Sequence, residues 1–235
     1  MRDALVFNGS SNLDFQDIRT NVIRIPEVVQ RIREAQAIWD AIAATPLDLA
    51  NFIASEDSVF LGHIKLKAFA TAVVQVGLLD RYLKAGKLPE YVVGTVNGDA
   101  PMLVAIGKMT FLEMVQQSSA VTGTAGRKVT PISGGFELPV LAGVQLAEYG
   151  VFRRNEKGEY TRQISEAREL DKMLLELVDQ YDVQKLTMIG PGNSVFKRVL
   201  DLTARDVQIN ESIDMDPMLS WFWSYLRDNR FAVAN

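Results

Sequence analysis

Cysteine is absent from the 235-residue sequence, which excludes disulfide bonds, cysteine-ligated zinc and thiol catalysis. Positive charge is not in excess either, because 25 lysine and arginine residues are outnumbered by 29 aspartate and glutamate residues, for a net charge of −4. A chain with this balance has no general attraction to nucleic acid or to an anionic membrane, both of which bind basic surfaces. Two short basic clusters, at 31–33 and 153–154, are therefore expected to be solvated surface.

Long apolar segments are also missing. No uncharged stretch approaches the roughly 20 residues that a membrane-spanning helix requires, and the amino-terminal segment lacks the apolar stretch and cleavage site of a signal peptide. We therefore expect a soluble, cytoplasmic protein. Hydrophobic residues nevertheless make up 48% of the sequence, which is enough for a large core in one domain or in two small ones.

Short apolar runs alternate with helical patterns along the chain, which is typical of an α/β fold with a parallel sheet covered on both faces. The pattern predicts strands at residues 4–7, 91–95, 128–132, 185–189 and 207–209, and a β-hairpin from 144–152 and 160–163. It predicts helices at 26–43, 48–54, 61–83, 99–106, 110–120, 165–179, 193–202 and 216–228. Residues 121–127 are a small-residue linker without periodicity, inside what we expect to be a single domain over 1–235.

The most informative pattern surrounds Val96. An apolar run over 91–95 ends in a turn with Gly94 and Gly98 two residues either side of Val96, which is the frame of a nucleophile elbow. Such an elbow joins a strand to a helix and normally presents a serine at the mouth of an α/β sheet. Because valine has neither a hydroxyl nor a thiol, the sequence indicates an acyl-transfer site that lacks its nucleophile.

Three glycine-containing turns, each placed after a predicted strand, carry a family resemblance. They are Ala-Leu-Val-Phe-Asn-Gly-Ser-Ser at 4–11, the elbow frame at 94–99, and Ile-Gly-Pro-Gly at 189–192. In order, spacing and context they resemble the malonyl-CoA:acyl-carrier-protein transacylases over most of 1–120 and 128–235. The resemblance implies an α/β domain like the large subdomain of these enzymes, a three-layer parallel sheet flanked by helices. It also implies that their small ferredoxin-like subdomain is missing, reduced to the linker.

The resemblance further implies a mechanism, from which this sequence departs. In the family a serine takes malonyl from coenzyme A, a histidine acts as base, and an arginine holds the malonyl carboxylate. The acyl group then passes to the phosphopantetheine thiol of a carrier protein. Here Val96 stands at the serine position, Thr95 at the preceding histidine and Ser10 at the first-turn glutamine. The helix at 110–120 has no arginine, and His63, the one histidine, precedes the elbow and is expected on a helix surface or half-buried.

The resemblance therefore implies a degenerate site rather than an intact one. We expect a shallow, open depression that holds no catalytic residue, no metal and no cofactor. Its predicted residues are Gly9, Ser10, Thr95, Val96, Asn97, Gly98, Gly190, Pro191 and Gly192.

The sequence leaves three functions open. The first is a catalytically inactive transacylase-like protein that binds a partner or acts as a scaffold in fatty-acid or polyketide metabolism. Its partner would be an acyl carrier protein, a synthase component or a second copy of the chain. The second is an active acyltransferase or hydrolase that acts on acyl-CoA or acyl-carrier-protein thioesters through an unrecognised nucleophile. The third is a small-molecule binder that retains affinity for coenzyme A or pantetheine.

Overall fold

Six strands form one mixed sheet in the computed structural model, which describes residues 2–7, 18–19, 22–55, 63–84, 88–95, 99–121, 149–163, 170–190 and 207–210. In chain order the strands are β1 (Arg2–Phe7), β2 (Tyr91–Thr95), β3 (Tyr149–Arg154), β4 (Tyr160–Gln163), β5 (Val183–Ile189) and β6 (Gln208–Asn210). Across the sheet their order is β4-β3-β2-β1-β5-β6.

The strands β2, β1, β5 and β6 run parallel to one another, whereas β3 is antiparallel to β2 and β4 is antiparallel to β3. The predicted parallel sheet is thus confirmed for β2, β1, β5 and β6. The predicted hairpin extends the same sheet, because its first strand β3 pairs with β2. Its own two strands are antiparallel because the short connection at 155–159 can join only antiparallel neighbours. Residues 144–148, predicted as the start of the first hairpin strand, lie outside the described residues.

Helices lie between the strands. Within the described residues they are α1 (Pro26–Ile42), α2 (Leu49–Ala54), α3 (Ile64–Lys84), α4 (Ala100–Ala105), α5 (Phe111–Val121) and α6 (Leu170–Tyr181). Each of them overlaps a predicted helix. Residues 165–169, the start of the helix predicted at 165–179, lie outside the described residues. None of these helices combines the length and the apolar character needed to cross a membrane. The predicted strand at 128–132 and the predicted helices at 193–202 and 216–228 also lie outside the described residues.

One helix start is fixed by a capping box that the sequence predicts before α5. The backbone N–H of Thr110 donates to Glu113 Oε2 at 2.7 Å, and the backbone N–H of Glu113 donates to Thr110 Oγ1 at 3.2 Å. These two bonds satisfy donors that the first turn of a helix otherwise leaves without partners. The hydrogen bonds from Thr110 also lower the pKa of the Glu113 carboxyl.

The sheet separates two hydrophobic layers, and β1 shows the division. Leu5 and Phe7 pack in a core cluster with residues of α1 to α5, whereas Ala4 and Val6 pack in a second cluster against α6. All four side chains are buried, as expected for a central strand that is covered on both faces. The three-layer α/β fold predicted from the sequence is therefore confirmed.

The helices α1 and α3 cross in close contact. A Cβ built on Gly77 of α3 would lie 2.5 Å from Val28 Cα of α1, so only glycine allows this approach. Arg31 of α1 binds Asp80 of α3 through two hydrogen bonds, from Nε at 2.5 Å and from Nη2 at 3.2 Å. The two helices therefore hold each other in a fixed register, which in turn sets the position of α3 on the sheet.

A buried carboxylate forms part of the same contact. Glu27 is only 4% exposed, and its Oε1 lies 2.8 Å from Lys84 Nζ and 3.4 Å from Arg81 Nη1. Burial alone would raise the pKa of Glu27, but the hydrogen bonds from Lys84 and from the backbone, with the charge of Arg81, outweigh it and lower the pKa. The ionised carboxylate of Glu27 is therefore more favourable in the folded state than in the unfolded chain.

We expect Glu27→Gln to reduce the free energy of unfolding by about 1–2 kcal/mol at neutral pH, because it removes a charge that two cations contact. Since the folded-state pKa is lowered, this contribution is present above the ordinary glutamate pKa of about 4.3 and is lost as the pH falls through the folded-state value. Chemical denaturation of both proteins at several pH values measures the difference. The matched control is Glu34→Gln, a half-exposed carboxylate of α1 paired with Arg31. An equal loss in both variants, or one independent of pH, would contradict the assignment.

Candidate functional site

The carboxyl ends of β2, β1 and β5 lie at one edge of the sheet. These three strands are adjacent and parallel, with Val6 paired to Val93 on one side and Phe7 paired to Ile189 on the other. In α/β sheets, ligands bind in crevices at this edge. The three glycine turns of the sequence follow these three strand ends.

Two of the nine predicted site residues fall within the described part of the chain, and both lie at this edge. Thr95 is the last residue of β2, and Gly190 follows β5 directly. The other seven, Gly9, Ser10, Val96, Asn97, Gly98, Pro191 and Gly192, lie outside the described residues. That all nine converge on one depression stays a prediction.

A helix begins shortly after the end of β2, as it does in an elbow. The strand ends at Thr95 and α4 begins at Ala100. A Cβ on Gly94 would lie 2.7 Å from Met102 Cγ and 2.9 Å from Asp99 Oδ2, so glycine is required for α4 to pack this closely. Asp99 is buried and caps the helix, because its Oδ1 accepts a hydrogen bond from the backbone N–H of Met102 at 3.3 Å. Gly94 and Asp99, the first and last residues of the motif, therefore have structural roles. Gly94 allows α4 to pack closely, and Asp99 caps that helix.

The end of β5 is held by a buried glutamine that the sequence analysis did not single out. Gln75 of α3 is 1% exposed, and its Nε2 donates to the carbonyl oxygen of Ile189 at 3.1 Å. The next residue, Gly190, is buried with a φ of 133°, a backbone region that favours glycine. The only signal in the sequence for this contact is the amide of Gln75 on the apolar side of the helix predicted at 61–83. The last residue of β5 is therefore held by α3.

Tyr149 is a second residue that the sequence analysis missed. It is the first residue of β3 and pairs with Thr95 at the end of β2. Burial raises the pKa of its phenol, and the nearby carboxylates of Asp99 and Asp171 raise it further. The hydroxyl therefore stays protonated at neutral pH. No sequence motif marks it, since its position depends on the register of an antiparallel edge strand.

His63 lies on the surface of the molecule. It precedes α3 as an exposed residue, which confirms the predicted surface position. At the other end of α3, Tyr82 Oη donates to Asp3 Oδ2 near the start of β1, while Gln75 Nε2 donates to the carbonyl oxygen of Ile189 at the end of β5. His63 lies about 18 Å along the helix axis from Gln75.

The family resemblance places a carboxylate-binding arginine on α5. This helix has no arginine and carries amide and hydroxyl side chains in its second half. Ser118 Oγ donates to the carbonyl of Met114 at 2.9 Å, and Ser119 Oγ donates to that of Gln116 at 2.9 Å. Both serines of α5 thus bond to their own helix, as expected for ordinary helix-end residues. Within the described residues, no group of three or more acidic or histidine side chains could hold a metal ion.

Comparison of whole folds identifies similar structures, although the sequence matches no protein-family profile and no curated protein. The malonyl-CoA:ACP transacylase of Synechocystis sp. PCC 6803 aligns with a TM-score of 0.58 and 13% identity, over 90% of this chain and 97% of that chain. The malonyl-CoA:acyl-carrier-protein transacylase of Clostridium perfringens Atcc 13124 aligns with a TM-score of 0.54 and 14% identity, over 100% of both chains. A malonyl-transacylase in complex with its type II PKS acyl-carrier protein aligns with a TM-score of 0.51 and 15% identity, over 90% of this chain and 96% of that chain.

The fold is that of the malonyl-CoA:acyl-carrier-protein transacylases. The resemblance inferred from three turns is thereby confirmed at the level of the fold. At 13–15% identity the likeness concerns the arrangement of strands and helices and not the chemistry of the site. That chemistry has to be argued from the residues of this chain.

We expect Gly94→Ala to reduce the free energy of unfolding by about 1–3 kcal/mol, because the added methyl group would overlap Met102 and the capping carboxylate. The matched control is Gly107→Ala, where a Cβ has nothing within 4 Å but the backbone φ is 72°. That control should lose about 1 kcal/mol through backbone strain alone. Thermal or chemical unfolding of the two variants measures the difference. A smaller loss for Gly94→Ala than for the control would show that α4 does not pack on β2 as closely as described.

Proposed function

We propose that this chain is a catalytically inactive protein of the malonyl-transacylase fold that binds an acyl carrier protein, as a scaffold in fatty-acid or polyketide metabolism. The observation that carries the proposal is the residue after β2. The strand ends at the carboxyl edge with Thr95, and the apex of the elbow frame that follows is Val96. An aliphatic side chain cannot attack a thioester.

The groups around this position do not replace the missing nucleophile. His63 is an exposed residue just before α3, and burial together with two carboxylates keeps the hydroxyl of Tyr149 protonated. Thr95 lies one residue before the apex of the elbow frame, and no histidine follows it in the sequence. Loss of the nucleophile or base of a hydrolase triad typically lowers kcat by about a millionfold. These features support an inactive site.

A carrier protein is the partner best supported by the fold. One of the similar structures is a malonyl-transacylase in complex with its type II PKS acyl-carrier protein. Docking of a carrier protein requires a complementary surface and access for its prosthetic arm, whereas catalysis also requires a nucleophile, a base and an oxyanion site. This chain lacks the catalytic groups at the matching positions but retains the fold on which such docking occurs.

We expect intact-mass analysis after incubation with malonyl-CoA to show no covalent adduct on the wild-type chain. Val96→Ser should also remain unmodified, because a base and a carboxylate-binding arginine are missing as well. An active transacylase treated in parallel is the positive control, and Val96→Ala controls for non-specific acylation. A malonyl adduct on the wild-type chain would overturn the proposal of inactivity. Turnover in Val96→Ser alone would show that other residues supply the base and the clamp.

We expect titration calorimetry to detect saturable binding of a type II acyl carrier protein to the wild-type chain. The phosphopantetheinylated form should bind at least as tightly as the form without the arm, since the arm adds contacts at the carboxyl edge. Serum albumin, which is also acidic, serves as the control for non-specific attraction. If none of a panel of carrier proteins binds, the proposed partner is wrong.

A further inference from the structure

A groove lies on the surface of the molecule beside α1, between this helix and the segment that leads into α2. Its volume is about 570 Å³, which is within the range of sites that bind a ligand or a side chain of a partner. The lining includes the apolar residues Ile32 and Leu47, which pack on the hydrophobic core, and three charged residues. These are Arg33, Asp40 and Asp48. The groove therefore combines an apolar surface with opposite charges.

The shape of the groove is fixed by the side chain of Gln36. Its Nε2 donates to the carbonyl oxygen of Leu47 at 2.5 Å and to Asp40 Oδ1 at 2.7 Å, and its Oε1 accepts from the backbone N–H of Leu49 at 2.8 Å. One amide thus ties the segment at 47–49 to α1. Because both ends of this amide bond within the protein, the polar groups left for a partner are the charged ones.

The charged side chains of the groove retain bonding capacity. Arg33 is exposed and, among the described residues, forms no ion pair. Asp40 and Asp48 are exposed as well, and each uses its Oδ1 within the protein, to accept from Gln36 Nε2 and from the backbone N–H of Asn51. In the described part of the chain, the Oδ2 atom of each carboxylate accepts no hydrogen bond. A guanidinium and two carboxylates are therefore available to an external partner.

The spacing of these charges on α1 is self-complementary. Arg33 and Asp40 are seven residues apart, so they project in nearly the same direction and lie about 10 Å apart along the helix. Ala37 lies close to the midpoint between them and is exposed, and its small side chain allows another helix to approach closely. Two copies of α1 related by a twofold axis at Ala37 are antiparallel, so Arg33 of each copy faces Asp40 of the other.

We propose that the groove beside α1 binds a second copy of this chain about this twofold axis, with Arg33 of each copy in the groove of the other. The aliphatic part of Arg33 covers the apolar lining, and its guanidinium binds Asp40 and Asp48. The inference does not depend on the proposed function, since it involves no residue of the carboxyl edge. A contact centred on two turns of one helix is smaller than the roughly 800 Å² per partner of a stable complex. The dimer is therefore expected to be weak, with a Kd in the micromolar range or above.

The test is sedimentation equilibrium of the full chain from about 1 μM to about 500 μM. We expect reversible dimerisation of the wild type. Arg33→Glu and Asp40→Arg should each raise the dimer Kd at least about tenfold, because each substitution places like charges opposite one another at two symmetric positions. The matched controls are Lys157→Glu and Glu156→Arg, which make the same changes of net charge on the exposed hairpin turn. Each control should change the Kd by less than about threefold.

Mixing the two reversal variants tests the antiparallel pairing itself. An equimolar mixture of Arg33→Glu and Asp40→Arg should form a heterodimer more tightly than either variant dimerises alone. In that heterodimer the introduced carboxylate of one copy faces the introduced guanidinium of the other, and the unchanged Arg33 and Asp40 face each other at the second contact. Because both positions are exposed, the unfolding midpoints of the variants should stay close to that of the wild type.

Three results would overturn the proposed dimer: a wild-type chain that is monomeric over the whole range, reversals that act no more strongly than their controls, or a mixture that associates no better than its components. None of these results bears on binding of a carrier protein, which is measured separately. Failure of the dimer and failure of the proposed function are therefore distinguishable.

Discussion

The parallel pairing of β1 between β2 and β5 is the constraint on which the rest of the structure depends. Four consecutive residues of β1, Ala4–Phe7, are buried and divide their side chains between the two hydrophobic layers. Because both neighbours run in the same direction as β1, their carboxyl ends meet at one edge. In the sequence, a glycine-containing turn follows each of these three strand ends. A candidate site at this place follows from strand direction before any side chain is considered.

The sequence predicted the elements whose signals are local. The strand at 91–95, the helix that begins at Pro26 and the capping box of Thr110 and Glu113 each depend on residues within a few positions of one another, and the structure has all three. It did not predict that β3 pairs with β2, which places Tyr149 beside Thr95, because strand register depends on contacts between distant segments. The tether from Gln75 to Ile189 was missed for the same reason. In the candidate site the sequence therefore predicted the backbone turns better than the side chains that surround them.

Packing alone explains why an elbow frame persists without a nucleophile. Gly94 is required because Met102 and the Asp99 carboxylate occupy the space of its Cβ, Asp99 is required as the cap of α4, and Gly190 is required by its backbone conformation. None of these demands involves the residue at the apex. The presence of the frame is thus evidence for a fold and not for a reaction.

Binding and catalysis also place different demands on such a fold. Transfer of an acyl group requires several groups to be held within a fraction of an ångström of a productive geometry, so the loss of one removes most of the rate. Binding of a protein spreads over a wide surface, and its rim charges act over distances of about 8 Å at physiological salt. A fold can therefore keep the surface that a partner contacts after the groups that a reaction requires have been lost.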